Sequence, residues 1–144
     1  MERIGFTGTA KGATEQQKKT LLHCLSRKDV GQFHHGDCVG ADAAAHDIVT
    51  TLGWEVVVHP PINNTKRAFK KAGIVLPAKP YLERNHDIVD QTNTLYAVPK
   101  GFEEELRSGT WATIRYARKL KRGIVIFWPN GSTTTEAYDN SRNR

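Results

Sequence analysis

The chain has 144 residues, the usual size of a single domain, and its 38% hydrophobic and 25% charged residues are ordinary for a globular protein. No apolar run approaches the roughly 20 residues of a membrane-crossing helix, and the opening Arg3-Ile4-Gly5-Phe6-Thr7 lacks the basic and apolar stretches of a signal peptide, which predicts a cytoplasmic protein with no membrane partner. Two cysteines without a CxxC pair argue against a disulfide framework or structural zinc, and a formal charge of +6 favours anionic partners, whether nucleotides or nucleic acid.

In chain order, Arg3 to Thr7 reads as a first strand, followed by the turn Thr7-Gly8-Thr9-Ala10-Lys11-Gly12 and a helix that Thr14 can N-cap, with Leu21, Leu22 and Leu25 as its buried stripe. Gln32 to His35 is a short second strand, and the tight turn behind it opens onto an Ala-rich helix ending at Gly53, a natural residue for a left-handed helix terminus. Trp54 to His59 is the clearest strand, rich in β-branched residues and halted by Pro60-Pro61. Residues 60–80, with Asn63-Asn64 and Lys66-Arg67, predict a long loop, suited to a lid or binding loop as much as to surface decoration.

A helix from Leu82 to about Asp90, a strand Leu95 to Val98, a helix Gly109 to Lys121 and a strand Ile124 to Trp128 complete the pattern, and residues 130–144 read as a polar, poorly ordered tail. Short apolar runs alternating with helical periods predict an α/β domain over residues 1–129. It is Rossmann-like and three-layered, with a mostly parallel sheet of about five strands and helices on both faces.

In such sheets ligands sit beyond the carboxyl ends of the strands, and three turns fall there. Thr7, Gly8 and Thr9 offer backbone amides and hydroxyls without an obstructing Cβ at the glycine. Gly36-Asp37-Cys38-Val39-Gly40-Ala41-Asp42 enters a helix whose first amides are unpaired, with Asp37 and Asp42 better suited to ribose hydroxyls or helix capping than to phosphate. Ser108, Gly109 and Thr110 repeat the small, hydroxylated pattern at another helix start, and Trp111 beside them can stack on a base or pack inward. The first turn is neither a complete G-x-G-x-x-G nor a Walker pattern, so it warrants no NAD or ATP assignment, and no cofactor is predicted. One helix before the Leu95 strand, Arg84 can clamp phosphate and Asn85 can meet a base or ribose, against the alternative of an Arg84 surface ion pair with Glu83 or Asp87.

Six histidines are present, including His34-His35 and His59, but without metal-ligand spacing, so no metal is predicted. No Ser-His-Asp order or G-x-S-x-G elbow supplies a nucleophile, and Glu103-Glu104-Glu105 reads as a solvated acidic turn.

Over most of residues 3–128 the chain resembles the SLOG superfamily, which groups Smf/DprA-type DNA-processing proteins, LOG-type nucleotide phosphoribohydrolases and nucleotide-sensing domains. The residues that carry the resemblance are Tyr81-Leu82-Glu83-Arg84-Asn85-His86, Leu95-Tyr96-Ala97-Val98-Pro99 and Ser108-Gly109-Thr110, similar to the family's Glu-Arg-Lys helix, strand-plus-Pro and Gly-Gly-x-Gly-Thr-x-x-Glu turn. The resemblance implies that Gly36 to Asp42 occupy the place of the family's earlier Gly-rich turn and that Arg84 contacts ligand. One departure matters: the glutamate expected three residues after the Gly-Thr pair is Thr113, which has no carboxylate for N-glycosidic cleavage.

The expectation is therefore a domain that binds a nucleotide or nucleotide-derived signal without catalysis, as a sensor or sequestering protein. Sensor domains of this kind serve bacterial antiviral signalling with cyclic or ADP-ribose-derived nucleotides. The alternatives are a LOG-like nucleoside 5′-monophosphate phosphoribohydrolase and, given the basic run Arg115 to Arg122, DprA-like single-stranded DNA binding. Superfamily habit also implies a homodimer or higher homo-oligomer.

Overall fold

The computed structural model describes residues 2–137. Its order is β1 (Arg3–Gly8), α1 (Glu15–Ser26), β2 (Gln32–His35), α2 (Ala41–Thr51), β3 (Glu55–Val58), a 3₁₀ turn at Asn64–Lys66, β4 (Ile74–Val75), α3 (Tyr81–Asp90), β5 (Thr94–Val98), α4 (Gly109–Lys119), β6 (Gly123–Phe127) and β7 (Thr133–Glu136). The strands form one sheet in the order β4-β3-β2-β1-β5-β6-β7, parallel throughout except for the antiparallel β6–β7 pair. Winding proceeds outward from β1 through β2 and β3, then returns to β5 on its other side. The carboxyl ends of β1 and β5 therefore lie at the switch point of the sheet.

Alternation along the strands divides the core. Ile4 and Phe6 of β1 and Tyr96 and Val98 of β5 pack with Leu21, Leu25, Ala45 and Val49 of α1 and α2, whereas Leu95 and Ala97 join Ile114 and Ala117 of α4 and Val89 of α3 on the opposite face. This is the three-layer arrangement that the sequence rhythm implies. Leu22 departs from the expected stripe: it is 44% exposed, because the buried side of α1 is the row Gln17, Leu21 and Leu25, spaced four residues apart.

Thr14 caps α1 as expected, in a reciprocal capping box with Gln17: Gln17 N donates to Thr14 Oγ1 at 3.0 Å and Thr14 N donates to Gln17 Oε1 at 2.8 Å. The Gln17 amide is itself buried, and its Nε2 donates to Pro99 O at 3.0 Å and Phe127 O at 2.9 Å, tying α1 to the ends of β5 and β6. Gly53 takes φ +85°, the left-handed terminus expected after α2.

Two strands lie outside the expected set of about five. β4 is only two residues within the 60–80 segment, too short for a period to register. β7 lies in the stretch expected as a polar tail: Thr133–Glu136 has no apolar alternation because it is a solvated edge. Besides the β6 ladder, its side-chain ties are Trp128 Nε1 donating to Thr134 Oγ1 at 2.7 Å and a paired contact of the Arg118 guanidinium of α4 with the Glu136 carboxylate at 2.8 Å for each of Nε and Nη2. The rest of that expected tail, residues 138–144, lies outside the described residues. No helix among the described residues is long and apolar enough to cross a membrane.

Candidate functional site

An open cleft of about 820 Å³ lies at the carboxyl ends of the central strands, and all three Gly-containing turns reach it: Thr7, Gly8 and Thr9 after β1, Gly36 and Asp42 around the β2–α2 turn, and Ser108, Gly109 and Thr110 at the start of α4. Arg84 and Asn85 of α3 complete the set of expected residues that line it.

The first two turns are locked together. Ala41 N, an amide at the start of α2, donates to Thr9 O at 3.0 Å, and Gly40, at φ +89°, leaves room for the first turn: a Cβ there would stand 2.5 Å from Ala10 O. Gly8 likewise admits α2, since its Cβ would meet the Ala41 Cβ at 2.5 Å. Gly40 and Ala41 thus sit behind the cleft wall and do not line it. The expected exposure of unpaired α2 amides to a ligand is corrected at Ala41, because the first turn takes that donor.

Asp37 also points elsewhere. It is fully buried at φ 57°, its Oδ2 lies 2.9 Å from Arg67 Nε and its Oδ1 accepts from Lys70 N at 2.9 Å, so it fastens the 60–80 segment to the β2 turn and does not line the cleft. Asp42 does line the cleft and closes its own turn: Oδ2 accepts from Gly36 N at 3.1 Å and Cys38 N at 3.2 Å. Burial pushes its carboxyl up to about 6, opposed by the nearby Arg84 cation and these two amide bonds. The same burial, then the Asp42 carboxylate, raises the Cys38 thiol, which disfavours the nucleophilic thiolate.

Arg84 makes no surface ion pair with Glu83 or Asp87; both of those carboxylates face Lys79, at 3.7 and 2.7 Å. Its guanidinium is buried, with Nη1 donating to Gly36 O and, at 3.1 Å, to His59 O, and Nε donating to Asn85 Oδ1 at 2.7 Å. Among the described residues Nη2 meets only Cys38 Sγ, at 3.7 Å, so one edge of an oriented, permanently charged group faces the cleft for a ligand. Gly36 makes this seat possible: a Cβ there would collide with Arg84 Nη1.

At α4, Ser108 Oγ accepts from Trp111 N at 3.2 Å and Ser108 O from Ala112 N at 2.9 Å. The Gly109 and Thr110 amides have no acceptor among the described residues, and nothing approaches the Gly109 Cβ position within 4 Å. Trp111 turns inward at 2% exposure, beside Trp128 with ring centroids 6.0 Å apart, and does not line the cleft. Thr113 is buried as well, its hydroxyl donating to Gly109 O at 2.9 Å.

Several lining residues lie outside the set expected from sequence: Lys11, Asn63, Thr65, Lys66, Tyr81, Lys100, Glu105 and Arg107. Lys11 and Tyr81 belong to motifs already visible in the sequence; Asn63, Thr65 and Lys66 come from the 60–80 segment, whose length and basic content were their signal, and Lys100, Glu105 and Arg107 come from a loop with none. They make the rim predominantly cationic, with Glu105 paired to Lys100 at 3.3 Å. No group of three or more His, Cys, Asp or Glu able to hold a metal occurs among the described residues.

No family model matches the chain, and no curated protein is significantly similar to it in sequence. Among solved structures, the molybdenum cofactor binding protein from the phototrophic bacterium Rippkaea orientalis aligns with a TM-score of 0.66 at 18% identity, covering 87% of this chain and 75% of that one. The structural-genomics target TM1055 aligns with a TM-score of 0.65 at 16% identity, covering 86% of this chain and 72% of that one. At such identities the likeness shows the fold, a Rossmann-like three-layer α/β domain.

Proposed function

We propose that this chain is a SLOG-like protein that binds a nucleotide or nucleotide-derived signalling molecule in the cleft and holds it without cleaving it, as a sensor or sequestering protein. The observation that carries the reading is convergence: Gly8, Gly36 and Gly109, one from each turn, line a single cavity beside the free edge of Arg84. A phosphate fits the start of α4, where the Gly109 and Thr110 amides and the helix dipole favour negative charge, with Lys100 and Arg107 on the rim. Asp42 suits a sugar hydroxyl, which can donate to a carboxylate where phosphate cannot. Trp111 is committed to the core, so the aromatic face on offer to a base is Tyr81, 40% exposed at the cleft wall.

Thr113 supports holding over cleaving, because the position aligned with the phosphoribohydrolase glutamate carries a hydroxyl committed to a backbone carbonyl. A solved neighbour described as a molybdenum cofactor binding protein is consistent with small-molecule capture on this fold. The same proposal places the protein in the cytoplasm as a homodimer or higher homo-oligomer, checked by light scattering.

Calorimetric titration with a panel of nucleoside mono- and diphosphates and ADP-ribose tests the reading. Saturable binding by at least one, with no free base detected chromatographically after incubation, is expected. No heat across the panel would overturn the binding proposal, and released base would restore the hydrolase.

A further inference from the structure

Arg84 also borders a second cavity, of about 210 Å³, lined by His59 after β3, by Leu76 and Pro77 after β4, and by the polar side chains of Lys79, Asp87 and Gln91. His59 is 3% exposed, and it does not line the nucleotide cleft, although its carbonyl helps seat Arg84.

Its protonation pattern is dictated by a chain of hydrogen bonds that begins at the sheet surface. Gln32 Nε2 donates to Glu55 Oε1 at 2.5 Å, which turns the Gln32 carbonyl oxygen towards His34 Nε2 at 3.2 Å. A carbonyl only accepts, so His34 carries its proton on Nε2 and leaves Nδ1 bare. That Nδ1 lies 2.8 Å from His59 Nε2, which must then be the N–H donor. In the neutral imidazole, Nδ1 of His59 is left as a lone pair.

No protein donor meets this lone pair among the described residues. The contrast with His35, one strand away, shows why: His35 Nδ1 accepts from Asp37 N, two residues on, at 2.9 Å. The residue two beyond His59 is Pro61, which has no N–H, and Pro60 before it has none either. Trp111 Nε1 is the one fully enclosed side-chain polar atom without a partner among the described residues, so His59 Nδ1 is not sealed off, and the cavity is its opening.

We infer that this cavity is a second binding site, in which His59 Nδ1 accepts a hydrogen bond from a small uncharged molecule carrying an O–H or N–H beside an apolar flank. The walls select that class. Lys79 and Asp87 neutralise each other at 2.7 Å, the Arg84 guanidinium repels a further cation, and the Nδ1 lone pair requires a hydrogen on whatever faces it, which a bare anion lacks. Leu76 and Pro77 supply the apolar side. Burial depresses His59 to about 4, which keeps the acceptor unprotonated at neutral pH.

The test uses phenol, a neutral O–H donor with an apolar ring, against toluene, which matches its shape without the donor. ¹⁵N-histidine NMR of the whole chain should show a saturable phenol-induced shift at Nδ1 of His59, and phenol should bind roughly five- to tenfold more tightly than toluene, one net hydrogen bond. His59→Phe should abolish that preference; if the variant does not fold, the phenol and toluene comparison on the native chain decides. Equal binding of the two probes, or no shift at His59 up to the solubility limit of phenol, would overturn the inference. Neither outcome depends on nucleotide binding in the larger cleft.

Discussion

Two histidine pairs are buried next to β2, and they make stability fall in acid at a rate that can be worked out. His34 and His59 are both held at about 4 and His35 at about 3, each chiefly by desolvation, against roughly 6.5 in an unfolded chain. Because the folded chain holds these rings neutral, their contribution is present above the unfolded value and is lost as pH drops towards the folded values. Going from pH 7 to pH 5 costs about 2 kcal/mol per independent ring. His34 and His59 share one hydrogen bond, so protonating one suppresses the other, and counting them once also discounts residual solvent screening. With His35 the loss is about 4 kcal/mol, and Asp42, whose raised carboxyl acts in the opposite sense, returns about 1 kcal/mol. The net loss of about 3 kcal/mol is a large share of a domain's stability. With a urea m-value of about 2 kcal/mol/M, the midpoint of tryptophan-monitored unfolding should drop by about 1.5 M between pH 7 and pH 5. A midpoint that stays put, or imidazole signals of His34 and His59 titrating near 6.5 by NMR, would refute the reasoning.

Other perturbations separate the parts of the cleft. Gly36→Ala puts a methyl group against the Arg84 guanidinium, so nucleotide affinity measured by calorimetry should fall at least tenfold and stability by about 1–3 kcal/mol. Asp42→Asn keeps an oxygen for the Gly36 and Cys38 amides but removes a carboxyl whose raised value stabilises the fold below about 4 and withdraws that support as pH rises through about 6. With the histidines then unopposed, the variant's loss between pH 7 and pH 5 should grow from about 3 to about 4 kcal/mol in urea titrations, with no loss at pH 7. Ser108→Ala removes the α4 cap and should cost about 1 kcal/mol in thermal or urea unfolding.

The layered fold was legible because burial imposes periods: the apolar runs of β1, β3, β5 and β6, the helix start at Thr14 and the helix stop at Gly53 all reflect local rules. β4 and β7 were not, since an edge strand held by tertiary partners such as Arg118 and Trp128 needs no apolar pattern of its own. In the cleft, Gly8, Gly36 and Gly40 announced the first two turns because close approach leaves no room for a Cβ, whereas Gly109 stands in open space. What the sequence left open was direction. Nothing local distinguishes Asp42, which faces the cleft, from Asp37, which turns away to Arg67, and the rim lysines arrive from loops whose paths only packing decides.

The Gln17 amide uses both hydrogens of one nitrogen on the carbonyls where two adjacent strands run out. A glutamate there would bring lone pairs against lone pairs, and an asparagine would be a methylene short, so this position tolerates almost no exchange. The neighbouring loop is held from α4 as well: Arg115 and Arg118 each reach the Glu104 carboxylate at 3.0 Å, and Arg115 donates to Glu105 O and Leu106 O. The mouth of the cleft, where Glu105 and Arg107 stand, is thereby set by α4 on one side and by the strand ends on the other.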